Sequence, residues 1–550
     1  MTKKTTKALA LAAVLTIGAG MMTTFAGCGD STTTPTESSG TGTTATDASS
    51  KKLTIGSAAY IGAIFDGGID PAMSYASWST FRYGIGECLV TFDENMQVQP
   101  WLAKSFEQKD AKTWVFELND GVKFHNGNAC DAAAVKASLE RVMKLNSEKN
   151  NKGGRVGDVN NMLIDSITAE GNTLTIKTTE ENPILANLLC DPLWVIIDAS
   201  VETDGHTDVI GTGPYKLVKA SDEGCTVVAN NDYWNGTPKI GTIEVKTIND
   251  GDTLTMALQS GEIDAAQELP VDSLALFSDT GKYTISTAAT SRSSNMVFNT
   301  KSKYMSDLKV RQACALALNK QDFIDGLMSG YGELAIGFFP QSFSTFGDSK
   351  LTDTYSYNVE KAKELLKEAG WEDTNGDGYV DKDGENMVLT YKTYTSRQDL
   401  PRLAEAYQDD LKDIGIKMEI DYNENSWNTD DMDKKGADSW DINCWQMVTA
   451  PNGDPMYMID STLGKDGYYR YGGAGEDKEL QGMIDELRKE TDSQKRADLA
   501  VKIQQYAVDN CYMQIAFHKE QSWAMSNTVT GLTEHPTDQH EITVDTDINK

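Results

Sequence analysis

The spacing of the apolar residues changes part-way along the chain, and that change limits the fold more than any other feature of its 550 residues. As far as Asn299 the apolar side chains mostly alternate with polar ones over short stretches, as in strands with one buried face. Residues 52–56, 113–118, 173–178, 214–218 and 240–248 have this pattern. The turn Asn119-Asp120-Gly121 predicts a hairpin between 113–118 and 122–124. Helices are expected around 83–88, over 132–145 with Asp131 as its cap, and over 253–261 ending on a glycine. Beyond Asn299 the period becomes about 3.6. Helices are predicted at 310–318, 321–328, 359–369, 401–414, 477–490 and 494–508, with strands 387–391, 416–420 and 513–517 among them. A strand-rich half followed by a helix-rich half predicts an α/β protein of two lobes, and no fixed-period repeat suggests a solenoid.

The first fifty residues stand apart from that fold. Lys3, Lys4 and Lys7 precede fifteen apolar or small residues, Ala8 to Met22, too short for a comfortable bilayer span. Phe25-Ala26-Gly27-Cys28 follows and resembles a bacterial lipobox, which implies that Cys28 is diacylated and begins the mature chain. Of residues 29–50, 17 of 22 are Ser, Thr, Gly or Pro, the composition of a flexible leash. Removing residues 1–27 leaves 82 acidic against 47 basic side chains, a net charge of −35. Nucleic-acid binding and adhesion to anionic lipid by charge are thereby excluded, and the membrane is met through the lipid anchor alone. The expected location is the outer face of the cell membrane, or the periplasm of a cell with an outer membrane.

Local catalytic signatures are missing. The sequence has no C-x-x-C, H-E-x-x-H, G-x-S-x-G or G-x-x-x-x-G-K, and its five histidines share no metal-ligand spacing. Gly211-Thr212-Gly213 runs into Pro214, which denies it the helix-opening role of a dinucleotide turn. The chain is therefore read as a non-enzyme, a secreted hydrolase being the distant alternative. Seven cysteines besides Cys28, an odd and scattered set, are expected as buried thiols.

An ordered set of short segments resembles the bacterial extracellular solute-binding proteins of family 5, which serve peptide and nickel ABC importers. They are Pro100-Trp101-Leu102-Ala103, Trp114-Val115-Phe116, Gly121-Val122-Lys123-Phe124-His125-Asn126-Gly127, Gly211-Thr212-Gly213-Pro214-Tyr215, Asn231-Asp232-Tyr233-Trp234, Gly261-Glu262-Ile263-Asp264 and Val310-Arg311-Gln312-Ala313. The resemblance implies a two-lobed periplasmic-binding-protein-like fold of type II with an extra domain and a hinge between lobes. On this chain residues 1–27 are the signal and 28–50 the lipidated linker. Residues 51–291 with 518–550 then form lobe 1, its inserted domain near 96–195, and 292–517 form lobe 2. It also implies a monomer that passes its solute to ABC permease subunits with cytoplasmic ATPases.

For the solute, the telling stretch is Trp445 to Pro455. Peptide-binding relatives place an aspartate four residues before the proline of the Asp454-Pro455 step to receive an ammonium group. Pro451 stands there in this chain, so Asp454 or another carboxylate must replace it. The Ala-Pro spelling is similar to the nickel branch, which holds metal chelates with arginine, tryptophan and a histidine. Arg82, Arg292, Trp445, Pro451, Asn452 and Asp454 are the candidate solute contacts, and His125 is expected at a turn. Peptide uptake is placed ahead of metal-chelate uptake. No cofactor is expected except a structural calcium ion at Asp373, Asn375, Asp377, Tyr379 and Asp381, whose D-x-N-x-D-G spacing lacks the closing glutamate, position 12 being Gly384.

Overall fold

A computed structural model describes residues 50–58, 68–395, 397–423, 436, 439–467, 471–537 and 542–550. The signal segment, Cys28 and nearly all of the leash lie outside the described residues. No helix among the described residues is long and apolar enough to cross a membrane.

One eleven-stranded sheet organises the molecule. Its strands are β1 (Lys52–Ser57), β2 (Tyr215–Ser221), β3 (Gly224–Ala229), β4 (Thr242–Thr247), β5 (Ala265–Gln267), β6 (Tyr283–Phe298), β7 (Gly332–Leu334), β8 (Val388–Thr393), β9 (Lys417–Tyr422), β10 (Ile442–Val448) and β11 (Met513–Ser526). The order is β9-β8-β10-β6-β11-β5-β1-β4-β3-β2, with β7 on β11. Thus 16-residue β6 and 14-residue β11, paired antiparallel, carry the sheet from one half to the other. Their register slips near Ser293, where β6 is irregular. On one side Leu53, Ile55, Val227, Ile243 and Trp523 share an apolar core, and on the other Leu389, Tyr391, Leu403, Tyr407 and Ile442 share a second.

A separate four-stranded sheet runs Ala103–Asp110, Thr113–Leu118, Thr173–Thr178, Ile164–Glu170 in spatial order. Its core residues Trp114, Phe116 and Ile176 join one apolar cluster with Phe338, Phe339, Ile484 and Ile503 from the second half. The expected hairpin partner 122–124 is corrected: 113–118 pairs with 103–110 and 173–178, while Lys123 only bridges Ala129.

Helix starts follow from side-chain caps. Asp131 accepts from the Ala134 amide at 3.0 Å at the head of a helix Ala132–Leu145, whose Val135, Leu139 and Val142 are buried. The expected helix at 83–88 is corrected to α1, Ser77–Arg82. It stops because Gly84 takes φ 67, a left-handed conformation that breaks the helical run.

Four of the segments that carried the family resemblance, those holding Trp101, His125, Thr212 and Tyr233-Trp234, meet around Glu87. Its Oε1 accepts from Trp101 Nε1 at 2.7 Å and Tyr233 OH at 2.5 Å, and its Oε2 from Thr212 Oγ1 at 2.7 Å and Trp234 Nε1 at 3.0 Å. Burial raises the carboxyl's pKa while these four donors pull it down. His125 sits beside this cage, its amide donating to the Gly211 carbonyl at 2.9 Å and its Nε2 3.0 Å from the Gly213 carbonyl. Those motifs are therefore a structural brace.

Burial holds both His125 and His535 at a pKa of about 4. An unfolded histidine takes up its proton near the ordinary value of 6.5, so this stability is complete above that pH and is lost as the pH falls toward 4. We expect the urea midpoint to fall between pH 7 and pH 5, by about 2 kcal/mol per histidine. His125→Gln keeps an N–H for the Gly213 carbonyl and should remove about half of that fall. An unchanged midpoint would show that these rings are not neutral in the folded state.

All seven cysteines from Cys88 to Cys511 are buried free thiols. Burial pushes each thiol up, Cys444 and Cys511 to about 12.

Candidate functional site

Side chains alternate along β6 and β11, and the two faces differ in chemistry. On one face Ser293 Oγ lies 2.7 Å from His518 Nδ1, and His518 Nε2 lies 2.9 Å from Asp348 Oδ2. Asp348 also accepts from the Ile336 and Gly337 amides, so this buried trio ties a loop to both strands. Glu333, whose carboxylate accepts from the Gln341 amide at 2.9 Å, completes a group with Asp348 and His518 of metal-ligand types.

The opposite face is charged. Gln446 on β10 donates through Nε2 to Ser294 Oγ at 2.9 Å and to Asp399, the first residue of α2 (Asp399–Asp413). Lys519 Nζ stands 3.9 Å from Asp399, and Gln521 Nε2 donates to Glu268 Oε1 at 2.7 Å. Burial alone would raise the Glu268 carboxyl, but Lys519, Arg292, Arg397 and Arg82 together hold it below the usual range. The same physics lowers Asp399, where burial is outweighed by Lys519 and the Gln446 hydrogen bond. Arg397 is itself lowered, chiefly by the like charge of Arg292. Its guanidinium makes no hydrogen bond or ion pair among the described residues.

A cavity of about 310 Å³ opens on this face, and Glu268, Arg397, Asp399, Arg402, Lys519 and Gln521 contribute to its lining. The Oε1 atoms of Gln446 and Gln521 are buried without a hydrogen-bond partner among the described residues, as are Ser77 Oγ, Ser79 Oγ and Trp78 Nε1 on α1. Each such group costs roughly 1–3 kcal/mol if nothing polar reaches it.

Of the residues singled out in the sequence, Arg82 and Arg292 both help to hold the Glu268 carboxyl low. The others do not join them. Trp445, opposite Asn295 in the ladder, is 1 % exposed in the apolar core, with Nε1 toward Met447 Sδ at 3.4 Å. Both oxygens of Asp454, the candidate substitute for the ammonium anchor, accept from Arg496, at 2.8 Å from Nη2. Asn452 Oδ1 accepts from the Asp454 amide at 3.2 Å, and Pro451 is half-buried beside it. In the 373–381 loop, Asp373 accepts from the Gly376 and Gly378 amides and Asp377 from the Tyr379 amide and Asn386. Asp381 accepts from Thr374, and Asn375 Oδ1 from the Asp377 amide.

Sequence reading missed Glu268, Arg397, Asp399, Gln446, Lys519 and Gln521. A usable signal exists for two of them: in Phe517 to Trp523, Lys519 and Gln521 fall at alternate positions between strand residues that are buried.

Residues 97–470 match the profile described as Bacterial extracellular solute-binding proteins, family 5 Middle. The chain belongs to family 5 of the bacterial extracellular solute-binding proteins. The nickel-binding protein NikA of Staphylococcus aureus is 28 % identical over 438 residues, covering 78 % of this chain and 83 % of NikA. The oligopeptide-binding protein AppA of Bacillus subtilis is 27 % identical over 472 residues, covering 82 % and 83 %. The crystal structure of a nickel ABC transporter protein from Bacillus halodurans superposes with a TM-score of 0.77 at 29 % identity, covering 90 % of this chain and all of that one. Family 5 proteins are two-lobed solute receptors of ABC importers, extracellular or periplasmic, and not enzymes.

Proposed function

We propose that this family 5 protein captures a small anionic solute, a metal ion held by a carboxylate-rich chelator, and delivers it to an ABC permease. The observation that carries the reading is the Arg397 guanidinium, which makes no ion pair among the described residues, in a cavity shared with Lys519 and under the electrostatic influence of Arg292. Guanidinium groups recognise carboxylates through paired, charge-assisted hydrogen bonds. A peptide is the second reading, supported by the likeness to AppA. It ranks lower because Asp454 is engaged by Arg496 and Pro451 has no charge, so a free amino terminus lacks its anchor there.

In this reading lobe 1 comprises 51–291 with 518–550, its insertion spans about 96–195, and lobe 2 is 292–517. The hinge lies where β6 and β11 pass between them. A solute touching both lobes favours closure, and the permease recognises the closed form. A micromolar solute supplies about 8 kcal/mol, enough to close a hinge with a gap of a few kcal/mol. Acylated Cys28 and the Ser/Thr-rich leash hold the monomeric receptor at the membrane surface.

Calorimetric titration of the mature protein with nickel plus L-histidine, nickel plus citrate, and di- to hexapeptide pools tests the proposal. Heat with a chelate is expected, and heat with peptides alone would overturn it. Arg292→Gln should weaken chelate binding about 100-fold, roughly 3 kcal/mol.

A further inference from the structure

Two carboxylates and a histidine converge on the face of the crossing strands turned away from Lys519. Glu333 on β7 and Ser293 on β6 are both direct register partners of His518 on β11, so they flank it from either side. Asp348 reaches the same point from beyond the 335–347 loop. One ligand atom from each of Glu333, Asp348 and His518 lies within 4.8 Å of the others. Asp348 and His518 are buried, while Glu333 is half-buried, so an ion can enter from its side. Among the described residues no lysine or arginine pairs with either carboxylate, and the one ion-pair contact is His518 Nε2 to Asp348 Oδ2 at 2.9 Å. The Lys320 ammonium is engaged by the Ala335 carbonyl, at 2.7 Å. The trio thus gathers more negative charge than its own residues offset.

The surrounding hydrogen bonds leave these atoms usable as ligands. Ser293 Oγ lies 2.7 Å from His518 Nδ1 and 3.1 Å from the Phe338 carbonyl. With its hydroxyl turned to Phe338 it accepts from Nδ1–H, and Nε2 then presents a lone pair toward Asp348. The Asp348 oxygens accept from the Gly337 amide at 2.7 Å and the Ile336 amide at 2.8 Å, and Glu333 Oε1 accepts from the Gln341 amide at 2.9 Å. Outer bonds of this kind orient the ligands of metal sites.

We propose that Glu333, Asp348 and His518 bind a divalent metal ion of the zinc type, at a site apart from the solute cavity. The ion sits between His518 Nε2 and Asp348 Oδ2, and Glu333 closes in as the third ligand. His518 stays neutral, its one ring proton on Nδ1, and the two carboxylates balance the charge of the ion. One imidazole and two carboxylates suit zinc, at about 2.0–2.2 Å per ligand with water in the fourth position. Bound there, the ion pins the 335–347 loop to β11 where that strand passes between the two halves of the sheet.

Zinc chloride titrated into the metal-stripped mature protein, with no solute present, tests the site. One equivalent should bind, measured by competition with a chromophoric indicator, and should raise the melting temperature. Glu333→Gln keeps an oxygen for the Gln341 amide, so without zinc it should melt as the wild type does, yet it should bind zinc at least about tenfold more weakly. His518→Gln should abolish binding, whereas Arg397→Gln in the solute cavity should leave it unchanged. Cobalt in place of zinc should show the visible bands of a low-coordinate ion in the wild type and lose them in Glu333→Gln. Failure of the wild type to bind an equivalent of zinc, or equal zinc affinity in the wild type and Glu333→Gln, would overturn the proposal. Nickel chelates should bind Glu333→Gln as they bind the wild type, so the zinc site and the chelate reading stand or fall separately.

Discussion

Glu87→Ala is expected to lower the unfolding free energy by about 4 kcal/mol, a large loss for one side chain. The substitution strands four donors at once: the half-buried indoles of Trp101 and Trp234, the half-buried Tyr233 phenol and the buried Thr212 hydroxyl. Water entering the gap can restore some of these bonds but not their geometry. Glu87→Gln should lose less, because it keeps one acceptor oxygen and turns an amide N–H₂ toward the donors on the other side. Urea denaturation followed by tryptophan emission checks both variants, with the alanine form showing red-shifted emission as Trp101 and Trp234 hydrate. A midpoint unchanged by Glu87→Ala would mean that the cage contributes nothing net to stability.

The second large effect concerns Asp454. Its carboxylate and the Arg496 guanidinium are both buried, and Arg496 also donates to the Leu487 and Glu490 carbonyls at 2.8 Å. Asp454→Ala leaves a buried cation without its counter-charge, a change that costs about 3–5 kcal/mol. The paired substitution Asp454→Leu with Arg496→Met should recover much of that loss, because it removes both charges together. Solute affinity of the folded Asp454→Ala protein should stay within a factor of about two of wild type. A drop of tenfold or more at temperatures where the variant is fully folded would restore Asp454 as a solute anchor.

How much of this was legible in the sequence depended on whether the deciding interaction was local. Helices capped by Asp131, Asp250, Asp477 and Asp492 begin within two residues of where the pattern places them, because a cap and an amphipathic face are both short-range signals. The strand predicted at 513–517 runs on to Ser526, because the polar residues His518 to Ser522 that break the alternation are held by partners from distant parts of the chain. The charged cluster draws on positions 82, 268, 292, 397 and 519, which lie far apart in the chain and carry no shared local pattern. For Trp445, strand alternation puts the side chain in the apolar core, on the face opposite Arg292, which its neighbouring motif does not signal.

The burial of every cysteine from Cys88 to Cys511 has a practical side. Their thiols, displaced far above neutral pH, are poor nucleophiles and poor targets for maleimides. From Cys88 to Cys511 the receptor therefore offers a thiol-silent background. One cysteine placed on each lobe at exposed positions would carry donor and acceptor dyes without deleting any native residue. A receptor of this kind converts directly into an optical sensor whose colour change reports which extract, fraction or pure compound closes it.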